Sequence, residues 1–213
     1  MSQPRVLIAD DHRIVAQGLQ GLLAEEFDVV GIVEDGRALV EAARATRPDV
    51  IVADINMPEL NGIEALVQLR RDDAHARVVL LTMHRDLVFA RRALEAGALG
   101  YVLKHSAASE LVLAVRAALQ GRTFIAPAIA GEVLLSVEQH AKGAADPAAM
   151  LTPRQREILQ LLAEGRSAKE VSARLDISPR TVEFHKYKMM ESLNLHSSAD
   201  LVRFAVKHGI ADG

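Results

Sequence analysis

Val6-Leu7-Ile8-Ala9-Asp10-Asp11 sets four apolar residues against two carboxylates, and the same arrangement returns along the chain. Val29–Val33, Val50–Ala53, Val78–Leu81 and Tyr101–Leu103 are further short apolar runs, and Asp54, Thr82 and Lys104 stand at the ends of the last three. Runs that are apolar throughout, rather than alternating, read as strands covered on both faces. The intervening segments Val15–Glu25, Arg37–Thr46, Gly62–Arg71, Leu87–Ala96 and Ala107–Gln120 carry helical periodicity. Strand–helix alternation at this spacing predicts a doubly wound α/β domain with a five-stranded parallel sheet. In an open sheet of that kind the carboxyl ends of the strands converge on one crevice, where ligands bind. Asp10, Asp11, Asp54, Thr82 and Lys104 would all meet there.

Three carboxylates in one crevice repel one another unless a positive charge sits among them. A hard divalent cation such as Mg²⁺ suits them, since it binds few carboxylates and retains several waters. The same ion can neutralise charge on a transferring phosphoryl group while one carboxylate acts as nucleophile. Lys104 supplies a point charge and Thr82 a hydroxyl donor for phosphoryl oxygens. A single Asp at a strand end is ordinarily a helix cap; the joint placement on four strands is what points to chemistry. His12, His84 and His105 fall near the rim of the pocket and read as ordinary loop residues.

The chain has 213 residues, half of them hydrophobic, which favours one large domain or two small ones with a buried core. Cysteine is absent, which excludes disulfides and thiolate metal sites and fits a reducing compartment. No apolar run reaches the ~18–20 residues of a membrane span, and Met1–Arg5 leads into a strand without a signal-peptide layout. A soluble, cytoplasmic protein without a membrane partner is therefore expected. The net charge of −3 conceals an asymmetry: up to Pro147 there are 15 Lys+Arg against 20 Asp+Glu, and from Ala148 onward 10 against 8. A mildly basic second part permits contact with nucleic acid.

Residues 129–140 can add a further helix, and Ala141–Ala149, small and polar with Gly and Pro, reads as a linker. From Leu151 the periodicity is helical only. Thr152-Pro153-Arg154-Gln155 is a capping box with Pro at the first helical position, opening a helix to about Glu164. Ser167-Ala168-Lys169-Glu170 is a second box, for a helix to about Leu175; Ser178-Pro179 starts a third to about Leu193, and a fourth spans about Ser198–Lys207. Two short helices joined by the tight turn Leu175–Ser178 form a helix-turn-helix pattern. On a wheel of the third helix Val182, Met189 and Leu193 face inward, flanked by His185 and Lys186, while Glu183, Phe184, Tyr187, Lys188 and Glu191 face out. Phe184 and Tyr187 are two of only seven aromatics in the chain, and exposed aromatics interleaved with charge mark an interface. In a major groove Phe184 can touch a thymine methyl and Glu183 can accept from a cytosine amino group. Arg180, Thr181, Lys186 and Lys188 would serve phosphates.

Residues 1–125 resemble the receiver domain of two-component response regulators. The carriers are Asp10-Asp11, Asp54-x-x-Met57-Pro58, Thr82 and Tyr101-x-x-Lys104. The resemblance implies a flavodoxin-like fold with Asp54 as the aspartyl-phosphate site. It also implies Mg²⁺ contacted by Asp11 and Asp54, by Asp10 mainly through water, and by the backbone carbonyl of Asn56. Thr82 and Tyr101 would be the switch pair, the ring turning inward as the hydroxyl moves toward the phosphate. His105 stands where the family often has a cis Pro after the lysine. Residues 148–213 resemble the LuxR-type four-helix DNA-binding domain through Leu151-Thr-Pro-Arg154, Ile158–Gly165, Lys169-Glu-Val171, Ile177–Val182, His185 and Leu193. Residues 126–147 fall between the two as helix and linker. Together they resemble a NarL/FixJ-type response regulator.

The resemblance implies a DNA-binding transcriptional regulator phosphorylated by a sensor histidine kinase, homodimeric when phosphorylated, that binds double-stranded operator DNA. It would be a phosphoacceptor with at most slow self-dephosphorylation, not a turnover enzyme. Glu183 stands where many relatives carry Lys, and Asp176 where the turn often has Gly. The last helix, with Leu201, Val202, Ala205 and Val206, completes the small core and by resemblance pairs two DNA-binding domains. The residues of the pocket alone also suit a Mg²⁺-dependent aspartyl-phosphate enzyme, or a regulator whose receiver works without phosphate.

Overall fold

The computed structural model describes residues 3–83, 87–106, 108–140 and 147–211, with the side chains of 134–140 left aside. It forms two compact units, residues 1–141 and 142–213.

In the first unit strands and helices alternate: β1 (Arg5–Ala9), α1 (Arg13–Leu23), β2 (Asp28–Val33), α2 (Gly36–Thr46), β3 (Val50–Asp54), α3 (Gly62–Asp72), β4 (Val78–Thr82), α4 (Leu87–Glu95), β5 (Gly100–Leu103), α5 (Ala108–Leu119), β6 (Phe124–Ile125) and α6 (Pro127–His140). All neighbouring strands are parallel and the sheet order is β2-β1-β3-β4-β5-β6. The chain therefore reverses its direction of growth at β1, and the crevice between the ends of β1 and β3 is the switch point where ligands sit in such sheets.

The central strands are apolar on both faces because both are covered. Leu7, Ile51, Leu80 and Tyr101 point into a core closed by α2, α3, α4 and α6; Val6, Ile8, Val52 and Val102 point into a core closed by α1 and α5. At ~25 cal/mol per Å² of apolar surface removed from water, these two layers are the main force holding the strand ends in register.

A sixth strand corrects the expected five. Phe124–Ile125 pairs with Gly100 and Tyr101 on the outer edge of β5. Two residues carry no readable period, so nothing in the sequence separates this strand from a loop. It delivers α6, whose Ile129 and Val133 are buried in the same core as Tyr101. Of the expected linker, residues 141–146 lie outside the described residues, and Pro147–Met150 is a short 3₁₀ turn.

The second unit contains α7 (Pro153–Ala163), α8 (Ala168–Leu175), α9 (Pro179–Ser192) and α10 (Ser198–Lys207). Both expected capping boxes are closed in both directions, at Thr152/Gln155 and Ser167/Glu170. Asp176 takes the left-handed conformation at φ 51° and ends α8, a position that Asp tolerates better than most residues. Arg154 then ties α7 to the turn, its guanidinium donating to the Leu175 carbonyl at 2.7 Å and to Glu157 at 2.6 Å. Val182 and Met189 of α9 are buried with Ile158, Leu161, Val171 and Leu201.

Candidate phosphoryl-acceptor and DNA-reading sites

The parallel register carries each polar residue just past its apolar strand to one end of the sheet. Asp10 follows β1 and donates its backbone N–H to the Val33 carbonyl at 3.0 Å. Asp54 closes β3, and the next residue, Ile55, donates to the Leu81 carbonyl at 2.9 Å. Thr82 closes β4, and its carbonyl accepts from the Lys104 N–H at 2.8 Å. These ladder bonds leave little freedom in where the side chains start.

Lys104 bridges the crevice, its Nζ lying 2.7 Å from Asp10 Oδ2 and 2.7 Å from Asp54 Oδ2. Asp10 and Asp54 are buried, and Asp11 is about one-third exposed (32 % for its side chain). Burial pushes the Asp54 carboxyl up to about 6, against the downward pull of Lys104, and the neighbouring charge of Asp10 adds to the rise. Burial draws Lys104 down, but its bonds to Asp10 and Asp54 outweigh it and leave the ammonium above its ordinary value. One cation facing three carboxylates leaves the crevice net negative. One oxygen or nitrogen from each of Asp10, Asp11, His12 and Asp54 lies within 4.8 Å of the others. The three carboxylates of that group, hard-oxygen donors with uncompensated charge, fit a divalent ion such as Mg²⁺.

The loop after Asp54 depends on two glycines. A Cβ on Gly62 would lie 2.2 Å from the Asp54 carbonyl oxygen, and one on Gly36 would lie 1.8 Å from that of Leu60. Gly62 also donates to the Ile55 carbonyl at 2.8 Å, folding the start of α3 back under the acceptor strand. Thr82 and Tyr101 are both buried, the ring lying inside the core that α4 and α6 share. His105 is exposed and follows Lys104 through a trans bond, there being no cis peptide among the described residues. His84 lies outside the described residues. The sequence placed His12 at the pocket rim without a role, and it did not single out Gly36, Gly62 or the buried pair Arg92–Glu64 (2.8 Å), which joins α4 to α3. A glycine's role depends on what lies opposite it, and ion-pair partners 28 residues apart leave no local signature.

On α9, Phe184 and Tyr187 are 59 % and 66 % exposed. Lys188 Nζ lies 5.7 Å from the centre of the Phe184 ring, and Lys186 Nζ 5.9 Å from that of Tyr187. Arg180 and Lys188 are exposed; Lys186 is partly covered and lies 3.5 Å from Glu183. The Thr181 hydroxyl is engaged by Ser178 Oγ at 2.8 Å, so it belongs first to the helix cap. His185 is flanking, as the wheel predicts, with its imidazole held low by burial and then by Arg154 and Lys188. A helix with cations and aromatics on its outer face, braced on a second helix through a tight turn, has the form of a major-groove reader.

An α/β unit with a carboxylate crevice at its switch point, followed by a helix-turn-helix unit, defines the class of two-domain, signal-responsive DNA-binding regulators. The response regulator receiver domain family matches residues 6–116, and the bacterial regulatory proteins, luxR family, match residues 149–205. The chain is 33 % identical over 209 residues to response regulator UvrY of Escherichia coli, covering 97 % of this chain and 95 % of that protein. It is 33 % identical over 213 residues to response regulator GacA of Pseudomonas aeruginosa, with 98 % of each covered. Among solved structures, RcsB of Salmonella enterica bound to a promoter with a phosphomimetic superposes with a TM-score of 0.65 at 26 % identity, over 97 % of this chain and 100 % of that one. The chain belongs to the NarL/FixJ-type response regulators of two-component systems: a receiver domain joined to a LuxR-type DNA-binding domain that regulates transcription.

Proposed function

We propose that Asp54 accepts a phosphoryl group from the phosphohistidine of a sensor kinase, and that this switches the second unit onto operator DNA. The carrying observation is the crevice itself: a buried carboxylate at a strand end, held by Lys104 and flanked by two more carboxylates. A carboxylate oxygen of Asp54 attacks phosphorus; the P–O bond forms as the P–N bond breaks, and the imidazole of the kinase leaves and takes up a proton. Asp10, Asp11, Asp54 and the backbone carbonyl of Asn56 would hold Mg²⁺, which supplies neutralisation of the charge on the phosphoryl oxygens. Lys104 and Thr82 would bind those oxygens, and Tyr101 would follow Thr82 as its partner in the switch.

The phosphorylated chain would act as a homodimer on paired half-sites of double-stranded DNA. Arg180, Lys186 and Lys188 would face phosphates, with Thr181 as part of the capped helix end. Glu183, Phe184 and Tyr187 would face base edges. No described helix is long and apolar enough to cross a membrane, and we place the protein in the cytoplasm. The domain boundaries proposed are 1–125 for the receiver, 126–147 for the connecting helix and linker, and 148–213 for the DNA-binding domain. The acceptor role implies at most slow self-dephosphorylation.

Incubation with acetyl phosphate and Mg²⁺, followed by intact mass and light scattering, tests this reading. Wild type is expected to gain one phosphoryl group and shift toward dimer, and Asp54→Asn to do neither. Full uptake by Asp54→Asn would overturn the assignment.

A further inference from the structure

Beside the three carboxylates lies a residue that the response-regulator reading leaves without a task. His12 occupies the N-cap position of α1, yet its side chain makes no capping hydrogen bond. Its imidazole turns the other way, Nδ1 lying 2.8 Å from Asp11 Oδ1 and 3.5 Å from Asp10 Oδ1. The His12 backbone faces the same carboxylate: its N–H donates to Asp10 Oδ1 at 2.9 Å, while Asp10 Oδ2 is held by Lys104 at 2.7 Å. Asp10 thus has one oxygen committed to each side of the crevice, with Lys104 opposite His12.

An imidazole paired with a carboxylate at the surface is ordinarily worth little, and His12 is 66 % exposed. The geometry here goes further than a pair, because the same imidazole belongs to a four-residue group whose ligand atoms all lie within 4.8 Å. Two donors on one first-row ion, each bonded at ~2.0–2.2 Å, stand up to ~4.4 Å apart. A closure of a few tenths of an ångström would suffice. Three oxygens and one nitrogen are also not the set that Mg²⁺ prefers: hard oxygen donors suit Mg²⁺, while imidazole raises affinity for the first-row transition ions.

We propose that His12 is a ligand of the acidic site, and that it tilts the site from Mg²⁺ toward first-row transition divalents such as Mn²⁺. This rests on the metal-binding reading of the crevice given above. Exposure of the ring then has a use, since an incoming hydrated ion meets the imidazole and Asp11 at the mouth before Asp10 and Asp54 inside.

The test uses the full chain with Mn²⁺ and Mg²⁺ as probes. Calorimetry gives the affinity for each ion in wild type, His12→Ala and Asp11→Asn, and pulsed electron paramagnetic resonance of bound Mn²⁺ reports directly coordinated nitrogen. Wild type should show strong ¹⁴N modulation from one imidazole, which His12→Ala abolishes. The same substitution should reduce the preference for Mn²⁺ over Mg²⁺ by about tenfold while leaving the affinity for Mg²⁺ nearly unchanged. Mn²⁺ bound in a manner that depends on Asp11 but lacks ¹⁴N modulation would overturn the role of His12 and leave the carboxylate site standing. Absence of any binding that depends on Asp11 would overturn both. Circular dichroism of each variant distinguishes loss of a ligand from loss of fold.

Discussion

At the scale of single residues, the tension in the crevice is between burial and charge. Burial pushes the Asp54 carboxyl up to about 6, above the ~3.9 of a free Asp side chain. The fold therefore binds that proton more tightly than the unfolded chain does. Its contribution to stability rises as pH falls from above 6 toward 4, and at pH 7.5 the ionised form costs about 3 kcal/mol. Asp54→Asn should accordingly be one to three kcal/mol more stable than wild type in EDTA at pH 7.5, on the order of that shift, with the gap closing near pH 4. Urea denaturation at several pH values measures it, and a gap independent of pH would contradict the argument. Lys104→Met should act in the opposite direction. It strands two buried carboxylates and should cost about 3 kcal/mol at pH 7.5, with a smaller loss once Asp54 is protonated. The carboxylates, Thr82 and Lys104 could be read from sequence because each directly follows an apolar strand. His12 could be placed at the rim but not turned toward Asp11, because the direction of its ring depends on the turn between β1 and α1.

At the scale of elements, periodicity and caps specified most of the architecture. Both capping boxes and the left-handed Asp176 are local features, decided within a few residues, and each appears where the sequence placed it. β6 and the packing of α6 are not local. They follow from a free edge on β5 and an apolar strip on α4 that only the assembled sheet presents. Ile129 and Val133 are buried beside Tyr101 in one core, so α6 is an integral part of the first unit. Ile129→Ala should lower the stability of that unit by about 2–4 kcal/mol and leave the second unit's transition in place. A loss below about 0.5 kcal/mol would show that α6 is a surface appendage. Gly62→Ala is expected to cost about 2 kcal/mol, because the added Cβ falls 2.2 Å from the Asp54 carbonyl oxygen. Its displacement of that strand end should also slow phosphoryl uptake from acetyl phosphate.

At the scale of the whole molecule, charge and surface chemistry are divided between the units. The first carries the acidic crevice, and from Ala148 onward the chain holds 10 Lys+Arg against 8 Asp+Glu. So slight an excess cannot give strong non-specific attraction to DNA, and affinity must come from a few placed cations and from contacts with bases. Arg180 and Phe184 separate these two contributions. Arg180 is exposed at the start of α9 and has no ion-pair partner among the described residues, whereas Phe184 is an exposed apolar ring one turn further on. For phosphorylated protein on its operator, Arg180→Ala should weaken binding to all sequences alike and reduce the salt slope by about 1. Phe184→Ala should leave the slope unchanged, lose about 1–3 kcal/mol on the preferred sequence and narrow the gap to non-specific DNA. Titrations at several salt concentrations against operator and scrambled duplexes measure both. Should the two variants exchange signatures, α9 would be lying across the backbone instead of entering the groove, and the assignment of Glu183 and Tyr187 to base edges would fall with it.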